Sequence, residues 1–299
     1  MTDHQPEPAV AAPLVISIQS QVVYGHVGNS AAVLPLQAHG INVAPVPTTL
    51  LSNNPHYPTM RGRILDSALL AELLLGVEER GLVDDAAVIQ TGYLGSVENG
   101  RVVAEFVRRA RARNPRITYL CDPVIGDTDL GIFVAPGVDE LIRTELVPQA
   151  RIITPNQFEL GLLIGGDVTT TDEVIAASAA NVRTIVTGCV LTDTPDGMLD
   201  TVAVDRTTDA APSAWRITTP RIQIRPAGTG DLFSALTVAN LLAGAPYPAM
   251  VARAVSSTYA VLEGTAASGG DGSEMRLAPC ISALTRPERI FQLVAIPIA

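Results

Sequence analysis

The sequence predicts an α/β fold in which helices cover both faces of a mostly parallel central sheet. Short β-branched runs alternate with longer segments of helical periodicity, and polar residues follow the predicted strands directly. Hydrophobic residues make up 47% of the 299-residue chain, which is enough for a large buried core. Because no linker or internal repeat interrupts the alternation, we predict one domain over residues 13–299, after a flexible tail over residues 1–12.

The N-terminal half supplies most of the strand–helix alternation. Runs of Val, Ile and Leu predict strands, and Leu and Val at spacings of three and four predict helices that end at glycines or after basic residues. The predicted strands are residues 14–18, 43–46, 87–90 and 117–121, and the predicted helices are residues 29–39, 66–80 and 98–113.

The C-terminal half adds strands over residues 151–153 and 183–186, an antiparallel pair over 201–204 and 215–218, and helices over 231–243 and 247–263. Asp122, Asn156 and Thr187 all fall just past predicted strand ends. Ligands of open parallel sheets bind outside the carboxyl ends of the strands. We therefore expect one crevice to collect these three side chains.

Composition excludes several classes of function. A net charge of −10 leaves no basic surface for nucleic acid or anionic lipid, and no apolar run reaches the ~18 residues of a membrane span. The first residues carry Asp3, Glu7 and prolines but no Arg, so we expect no signal peptide. The three cysteines are scattered, which favours reduced thiols in a cytoplasmic protein.

The chain contains no lysine, so all 20 of its basic residues are arginines. A Walker A loop needs a lysine, and so does a lysine Schiff base, and both kinds of site are therefore excluded.

The segment Pro-Ala-Gly-Thr-Gly-Asp, ending at Asp231, leads straight into an apolar-periodic helix. N–H groups at the start of a helix are unpaired and carry partial positive charge, so they form a site for a phosphate. A carboxylate beside an anion site is explained if it removes a proton from a hydroxyl that then attacks phosphorus. The alternative is that Asp231 caps the helix after a glycine turn, and spacing alone leaves both open.

Four further polar positions are candidates for a site. Asp122 follows a strand, and Glu159 stands three residues after Asn156 on a starting helix. Asp122 and Glu159 can hold Mg²⁺ largely through water, whereas Asn156 and Glu159 can equally form a capping box. Ser20, directly after the first predicted strand, can recognise a small ligand or serve as a turn residue.

Five motifs together resemble those of the pyridoxal kinases of the ribokinase superfamily. They are IQSxVVYGxVGNSAA, GYLGS, CDPVIGD, TPNxxE and GTGD, and they span most of the chain, from residue 14 to residue 234. GTGD belongs to the whole superfamily, whereas the first motif and GYLGS are closer to the pyridoxal kinase branch. The resemblance implies a single-domain, ribokinase-like three-layer α/β/α sandwich that uses ATP and Mg²⁺ and forms a homodimer. A monovalent cation is also common in the superfamily, and the sequence does not locate its site.

The resemblance implies a role for individual residues by position. Asp231 is implied as the catalytic base with Gly228 and Gly230 beside it, and Ala227, Gly228, Thr229 and Gly230 as the anion hole. Residues 127–136 match the family's mobile flap. On the nucleotide side the resemblance implies Asp122, Thr154, Asn156, Glu159, Thr187, Thr219, Pro220, Arg221 and Ile222, with Asp122 and Glu159 also near the metal. On the substrate side it implies Ser20, Val27, Thr49, Pro55, His56, Tyr93 and Asp231.

The chain departs from the family pattern after the second strand. The usual Ser-Asn-His-Thr run is Ser-Asn-Asn-Pro-His here, so Pro55 has neither the hydroxyl nor an N–H. The aromatic residue before that run is Leu51, and a histidine after the motif serine is Gln21. A lysine that some relatives place at Thr187 is absent. These changes leave the kinase motifs intact and put the identity of the substrate in question.

Three hypotheses follow. The first is ATP-dependent phosphorylation of the 5′-hydroxymethyl group of pyridoxal, and of pyridoxine or pyridoxamine, in the salvage of vitamin B6. The second is phosphorylation of hydroxymethylpyrimidine, a similar heteroaromatic alcohol. The third is a non-catalytic relative that binds a vitamer in the same crevice, against which the intact Gly228, Gly230, Asp231 and Glu159 argue.

Overall fold

The computed structural model describes residues 12–207, 213–269 and 272–298. The predicted tail therefore lies outside the described residues, apart from the exposed Ala12. The strands are β1 (Leu14–Val22), β2 (Asn42–Leu51), β3 (Gly62–Ile64), β4 (Ala86–Thr91), β5 (Thr118–Cys121), β6 (Gly126–Asp127), β7 (Gly131–Ile132), β8 (Ile152–Ile153), β9 (Arg183–Cys189), β10 (Met198–Asp205), β11 (Ser213–Pro220) and β12 (Val294–Ile296).

Helices connect these strands on both sides of the sheet. A π-helix (Ile142–Leu146) and a 3₁₀ helix (Val147–Gln149) continue the fifth α-helix. The α-helices are α1 (Asn29–Ala38), α2 (Ser67–Glu79), α3 (Leu82–Asp85), α4 (Val97–Arg113), α5 (Val138–Leu141), α6 (Gln157–Ile164), α7 (Thr171–Ala177), α8 (Thr229–Leu242), α9 (Tyr247–Ala267) and α10 (Ile281–Thr285).

The described strands, except β6 and β7, form one sheet in the order β12-β11-β10-β9-β8-β5-β4-β1-β2-β3. The strands from β2 to β9 in that order run parallel, and the outer ones are antiparallel to their neighbours. The predicted antiparallel pair is present, with Thr201 opposite Ile217 in β10 and β11. Strands β6 and β7 form a separate hairpin.

Alternate residues of β1 feed two cores, one on each face of the sheet. Val15 packs with Leu36 of α1 and Leu236 of α8, whereas Ile16 packs with Leu74 of α2 on the other face. Because side chains alternate across a strand, a strand covered on both faces is apolar at successive positions. The predicted α/β fold, a parallel sheet between helical layers, is confirmed.

Several strands run further than predicted, among them β1, β2, β9, β10 and β11. β1 continues through Gln19, Ser20 and Gln21, and β9 continues through Thr187 and Gly188 to Cys189. The polar residues end the apolar run, but β1 keeps its ladder with β2 across a register shift between Gln19 and Gln21. Ser20 and Thr187 therefore lie within strands and not just past them.

Candidate active site at the carboxyl edge of the sheet

The carboxyl ends of β5, β8 and β9 bring polar side chains to the start of α8. The Thr154 hydroxyl donates to Asp122 Oδ1 at 3.1 Å and lies 2.9 Å from Ser234 Oγ on α8. The Thr187 N–H donates to the Pro155 carbonyl at 3.0 Å, and Asn156 bridges to Thr187. Asp122, Asn156 and Thr187 therefore gather at one edge, as the topology of a parallel sheet requires.

The turn before α8 depends on Gly228. This residue has a left-handed φ of 84° and is the N-cap of α8. A Cβ atom on Gly228 would overlap the His26 carbonyl oxygen. The glycine thus allows residues 226–230 to pack against residues 26–28, while Gly230 remains exposed and Ala227 and Thr229 are half-buried. The N–H groups of the first turn of α8 consequently lie at the edge where the crevice is predicted, beside the exposed Gly230.

Asp231 does not cap α8. The N-cap is Gly228, without a side-chain capping bond, and Asp231 lies inside the first turn. Its side chain is partly exposed and accepts a hydrogen bond from the Gly28 N–H, and burial raises the pKa of its carboxyl group. The capping alternative is therefore wrong, and the carboxylate stands next to the predicted anion site.

A second glycine turn faces the first. Gly28 is the N-cap of α1 with φ 54°, and a Cβ atom there would overlap the carbonyl and hydroxyl oxygens of Ser20. Residues 24–28 therefore lie against both the end of β1 and the start of α8. His26 contributes backbone contacts here, and burial lowers the pKa of its ring. The N-termini of α1 and α8 consequently meet at the same crevice.

Glu159 and Asn156 form the capping box that the sequence allowed. Asn156 Oδ1 accepts from the Glu159 N–H at 2.8 Å, and Glu159 Oε2 accepts from the Asn156 N–H at 2.9 Å. Glu159 Oε1 also accepts from the Ile125 N–H at 2.9 Å. Both carboxylate oxygens are therefore used by the backbone, so Glu159 fits a metal site through bridging water.

Burial and mutual repulsion define the electrostatics of this edge. Burial, followed by the charge of Asp231, raises the pKa of Asp122 to about 7. Burial, followed by the charge of Asp122, raises the pKa of Glu159 to about 8. Among the described residues, no group of three or more acidic, His or Cys side chains forms a ready cage for a metal. A hydrated cation such as Mg²⁺ fits this arrangement, because it relieves the repulsion without demanding several direct protein ligands.

The predicted substrate residues occupy the opposite side of the Gly28 turn. Ser20 and Thr49 are buried in β1 and β2, Val27 and Tyr93 are half-buried, and Pro55 and His56 are exposed. The Thr49 hydroxyl is buried without a hydrogen-bond partner in the described structure. Burial raises the pKa of Tyr93, which keeps its phenol neutral. These residues thus combine apolar and polar groups, the mixture that small-molecule sites usually present.

The predicted nucleotide segment reaches the same edge from the far side of the sheet. Thr219 and Pro220 end β11, which runs parallel to β9 because both pair antiparallel with β10. Arg221 and Ile222 follow, and the Arg221 N–H donates to the Gly197 carbonyl at 2.8 Å. These four residues therefore lie at the carboxyl end of the sheet, on the same edge as Thr187.

Three residues that the sequence did not single out help to build the edge. Ser234 forms a hydrogen bond with Thr154. Arg225 forms ion pairs with Asp127, at 2.9 Å, and with Asp129. Glu274 accepts hydrogen bonds from residues 26 and 54. Arg225 ties the predicted flap, which contains the β6–β7 hairpin, to the segment that leads into Gly228. Of these three, only Arg225 could have been found from the sequence. It is an arginine close to the glycine turn, in a chain that has no lysine to bind phosphate.

A cleft of 520 Å³ opens at the other end of the sheet, among residues such as Asp84, Arg116 and Leu242. None of the predicted site residues lines it. This cleft is therefore separate from the predicted site at the carboxyl edge.

Comparison with known proteins identifies the family. The profile of the phosphomethylpyrimidine kinase family matches residues 28–274. The pyridoxine/pyridoxal/pyridoxamine kinase of Bordetella avium (strain 197N) is 44% identical over 236 residues, covering 77% of this chain and 78% of the relative. The pyridoxal kinase PdxY of Leifsonia xyli subsp. xyli (strain CTCB07) is 38% identical over 282 residues, covering 93% and 97%. The chain belongs to this kinase family, in its pyridoxal kinase branch.

The fold agrees with that assignment. Pyridoxal kinase from Leishmania donovani in complex with ADP and pyridoxamine superposes with a TM-score of 0.85 at 28% identity, over 95% of this chain and 99% of that one. The expected family and its ribokinase-like architecture are therefore confirmed, and this member of the pyridoxal kinase branch is an enzyme. Within the described ranges, no helix is both long enough and apolar enough to cross a bilayer.

We expect Gly228→Ala to weaken both folding and nucleotide binding in this kinase. An alanine there must adopt a left-handed backbone and also overlap the His26 carbonyl oxygen. We therefore expect the free energy of unfolding to fall by about 1–3 kcal/mol more than in a variant whose alanine has the same backbone strain but no overlap. Gly244→Ala is the matched control, because Gly244 has φ 74° and open space around its Cβ position. Urea unfolding and the KM for ATP measure the difference, and equal losses in the two variants would contradict the packing argument.

Proposed function

We propose that this protein transfers the γ-phosphoryl group of ATP to the 5′-hydroxymethyl group of pyridoxal, and to pyridoxine and pyridoxamine. The observation that carries the proposal is Asp231, a partly exposed carboxylate in the first turn of α8, beside N–H groups that face the crevice. The relatives named as pyridoxal kinases support the choice of alcohol.

Asp231 acts as the general base. Its carboxylate takes the hydroxyl proton while the alcohol oxygen forms a bond to the γ-phosphorus and the bond from that phosphorus to the bridging oxygen of ADP breaks. Burial raises the pKa of Asp231, which makes it a better proton acceptor than an exposed aspartate. The hydrogen bond from the Gly28 N–H holds the carboxylate in place before the substrate arrives.

The backbone of residues 227–230 stabilises the charge of the transferring group. Its N–H groups begin a 14-residue helix, so the helix dipole adds to their partial positive charge. Thr154, Asn156 and Thr187 are proposed to contact the phosphates from the strand ends, and residues 219–222 to lie along the nucleotide. Mg²⁺ would be held at Asp122, and at Glu159 through water, where it would neutralise phosphate charge.

The β6–β7 hairpin is proposed to cover the phosphates. Asp127 and Asp129 pair with Arg225, so the hairpin is already joined to the segment that leads into the anion hole. A closed hairpin excludes water, which would otherwise compete with the alcohol for the phosphoryl group.

A second candidate substrate is hydroxymethylpyrimidine. The family profile that matches the chain carries the name phosphomethylpyrimidine kinase, and the loop over residues 51–56 departs from the pyridoxal kinase pattern. Both alcohols present a hydroxymethyl group on a flat heteroaromatic ring. Asp231 and the anion hole serve either one, and the loop decides between them.

We also propose a homodimer in the cytoplasm. Exposed apolar side chains cluster near the edge strand β3 and on α2, and an edge strand of this kind is a ready surface for a second chain. They include Leu50, Met60, Ile64, Leu69 and Leu73. The three cysteines, all described, are free thiols, which fits a reducing compartment.

Asp231→Asn is expected to lower kcat by about 10²–10⁴ while the KM for ATP stays near that of the wild type, because only the proton acceptor is lost. The measurement is steady-state ADP release with pyridoxal. Asp172→Asn, at an exposed position of α7, is the matched control. A near-normal kcat in Asp231→Asn would overturn the assignment of the base.

The wild-type enzyme is expected to consume ATP with pyridoxal, pyridoxine or pyridoxamine, and to lose this activity when EDTA removes Mg²⁺. Values of kcat/KM for each vitamer and for hydroxymethylpyrimidine, measured side by side, identify the preferred alcohol. A higher kcat/KM for hydroxymethylpyrimidine than for any vitamer would make the pyrimidine the preferred substrate. ADP release that no added alcohol increases would argue against both.

Replacing Ile64 and Leu69 together by Asp is expected to convert a dimer into a monomer, because two buried charges oppose association. Size-exclusion chromatography with light scattering measures the mass. Ile290→Asp, at a similarly exposed apolar position, is the control. A monomeric wild-type protein, or a dimeric double variant, would contradict the proposed interface.

A further inference from the structure

Glu274 connects two loops, and it is far from both of them in the sequence. It lies after α9, in a segment that returns to the carboxyl edge of the sheet. Its Oε2 accepts a hydrogen bond from the His26 N–H at 3.2 Å, and its Oε1 accepts one from Asn54 Nδ2 at 2.6 Å. One half-buried carboxylate thus joins the loop before α1 to the loop after β2.

Both the nitrogen and the oxygen of the Asn54 side-chain amide form hydrogen bonds. The side chain is completely buried, and its Oδ1 accepts from the His56 N–H at 2.9 Å while its Nδ2 donates to Glu274. The amide therefore fixes the turn over residues 54–56 from inside. Pro55 and His56, the proposed substrate residues of this turn, are positioned by Asn54, and Asn54 is positioned by Glu274.

Close packing around the carboxylate indicates a built contact. Gly25 has φ 94°, a conformation that favours glycine, and a Cβ atom there would force the Glu274 carboxylate to move. The rings of Tyr24 and Tyr57 meet edge to face with centroids 6.0 Å apart, one from each loop. Burial, reinforced by the Glu274 charge, raises the pKa of Tyr57 to about 12.

The same contact continues to the reaction centre through the backbone. Glu274 holds the His26 N–H, and the His26 carbonyl lies directly against Gly228. Two residues further on, the Gly28 N–H donates to Asp231. Displacing residues 24–28 would therefore disturb the substrate wall first and the base next, while the strand ends around Thr154 and Thr187 are left in place.

We propose that Glu274 is a positioning residue that fixes residues 53–57 against residues 24–28 and thereby sets the affinity of the enzyme for its alcohol substrate. The effect on substrate affinity rests on the proposed function. The contact between the two loops rests on the hydrogen bonds alone. Its effect is on the alcohol, because the contacts of Glu274 lie on the substrate side of the Gly28 turn.

The first test measures the protection of the two loops from hydrogen exchange, without any substrate. Hydrogen exchange is measured on the full chain for the wild type, Glu274→Ala and Asn54→Ala. We expect both variants to exchange faster at residues 24–28 and 53–57, by about tenfold or more, since a hydrogen bond to a charged group is lost. Unchanged exchange in these loops would overturn the inference whether or not the enzyme phosphorylates a vitamer.

The second test separates the alcohol from the nucleotide. In Glu274→Ala, kcat/KM for pyridoxal is expected to fall about tenfold or more, with the KM for ATP changed less than about twofold. Glu274→Gln keeps one acceptor and is expected to fall between wild type and alanine. Glu263→Ala, at an exposed carboxylate of α9, is the control. Equal losses for alcohol and ATP, or no rescue by glutamine, would indicate general destabilisation and overturn the positioning role.

A double-mutant cycle tests whether Glu274 acts through Asn54. If it does, Glu274→Ala with Asn54→Ala loses little more than the worse single variant, because both remove one shared contact. Additive losses would overturn the link between the two residues. If wild-type protein phosphorylates no vitamer, the proposed substrate fails, and the loop exchange still decides the contact between the loops.

Discussion

The contact between Gly228 and the His26 carbonyl is the constraint on which the active edge depends. Two left-handed glycine turns meet there, one starting α1 and the other starting α8. Neither turn tolerates a Cβ atom, because each lies against the backbone of another segment. This packing aligns two helix N-termini on one crevice and places the Gly28 N–H on Asp231. The proposed phosphate site is thereby formed by backbone N–H groups without partners in the helix, and the proposed base, the Asp231 carboxylate, stands beside it.

The charges at this edge are arranged for a ligand more than for stability. Burial raises the pKa of Asp122, Glu159 and Asp231, and the charge of Asp231 raises the pKa of Asp122 further, as the charge of Asp122 does for Glu159. Such an arrangement is unfavourable in the empty protein and becomes favourable when a cation and a nucleotide share the site. Because the chain has no lysine, the positive charge that the protein itself supplies must come from helix dipoles and from arginines such as Arg225.

The substrate side is organised differently, by hydrogen bonds between loops. Asn54 stands where the family usually has a histidine, and Pro55 where it has a threonine, yet the loop is held firmly because Asn54 reaches Glu274. The departure from the family pattern is thus accompanied by a specific contact. It alters the groups offered to the alcohol, while the base and the anion hole are contributed by other segments.

The sequence by itself determined the fold class and predicted where the chemical centre lies. Alternating apolar runs specify strands buried on two faces, and a glycine turn before a helix specifies an anion site, because both are local patterns with local causes. The tertiary structure decided the rest. The polar ends of β1 and β9 continue as strands because neighbouring strands pair with them, which no local pattern records. Whether Asp231 capped its helix, and whether Glu159 served the backbone, depended on which groups folding brought within hydrogen-bond distance. Glu274 lies 220 residues from Asn54 along the chain, and only the folded chain brings the two side chains together.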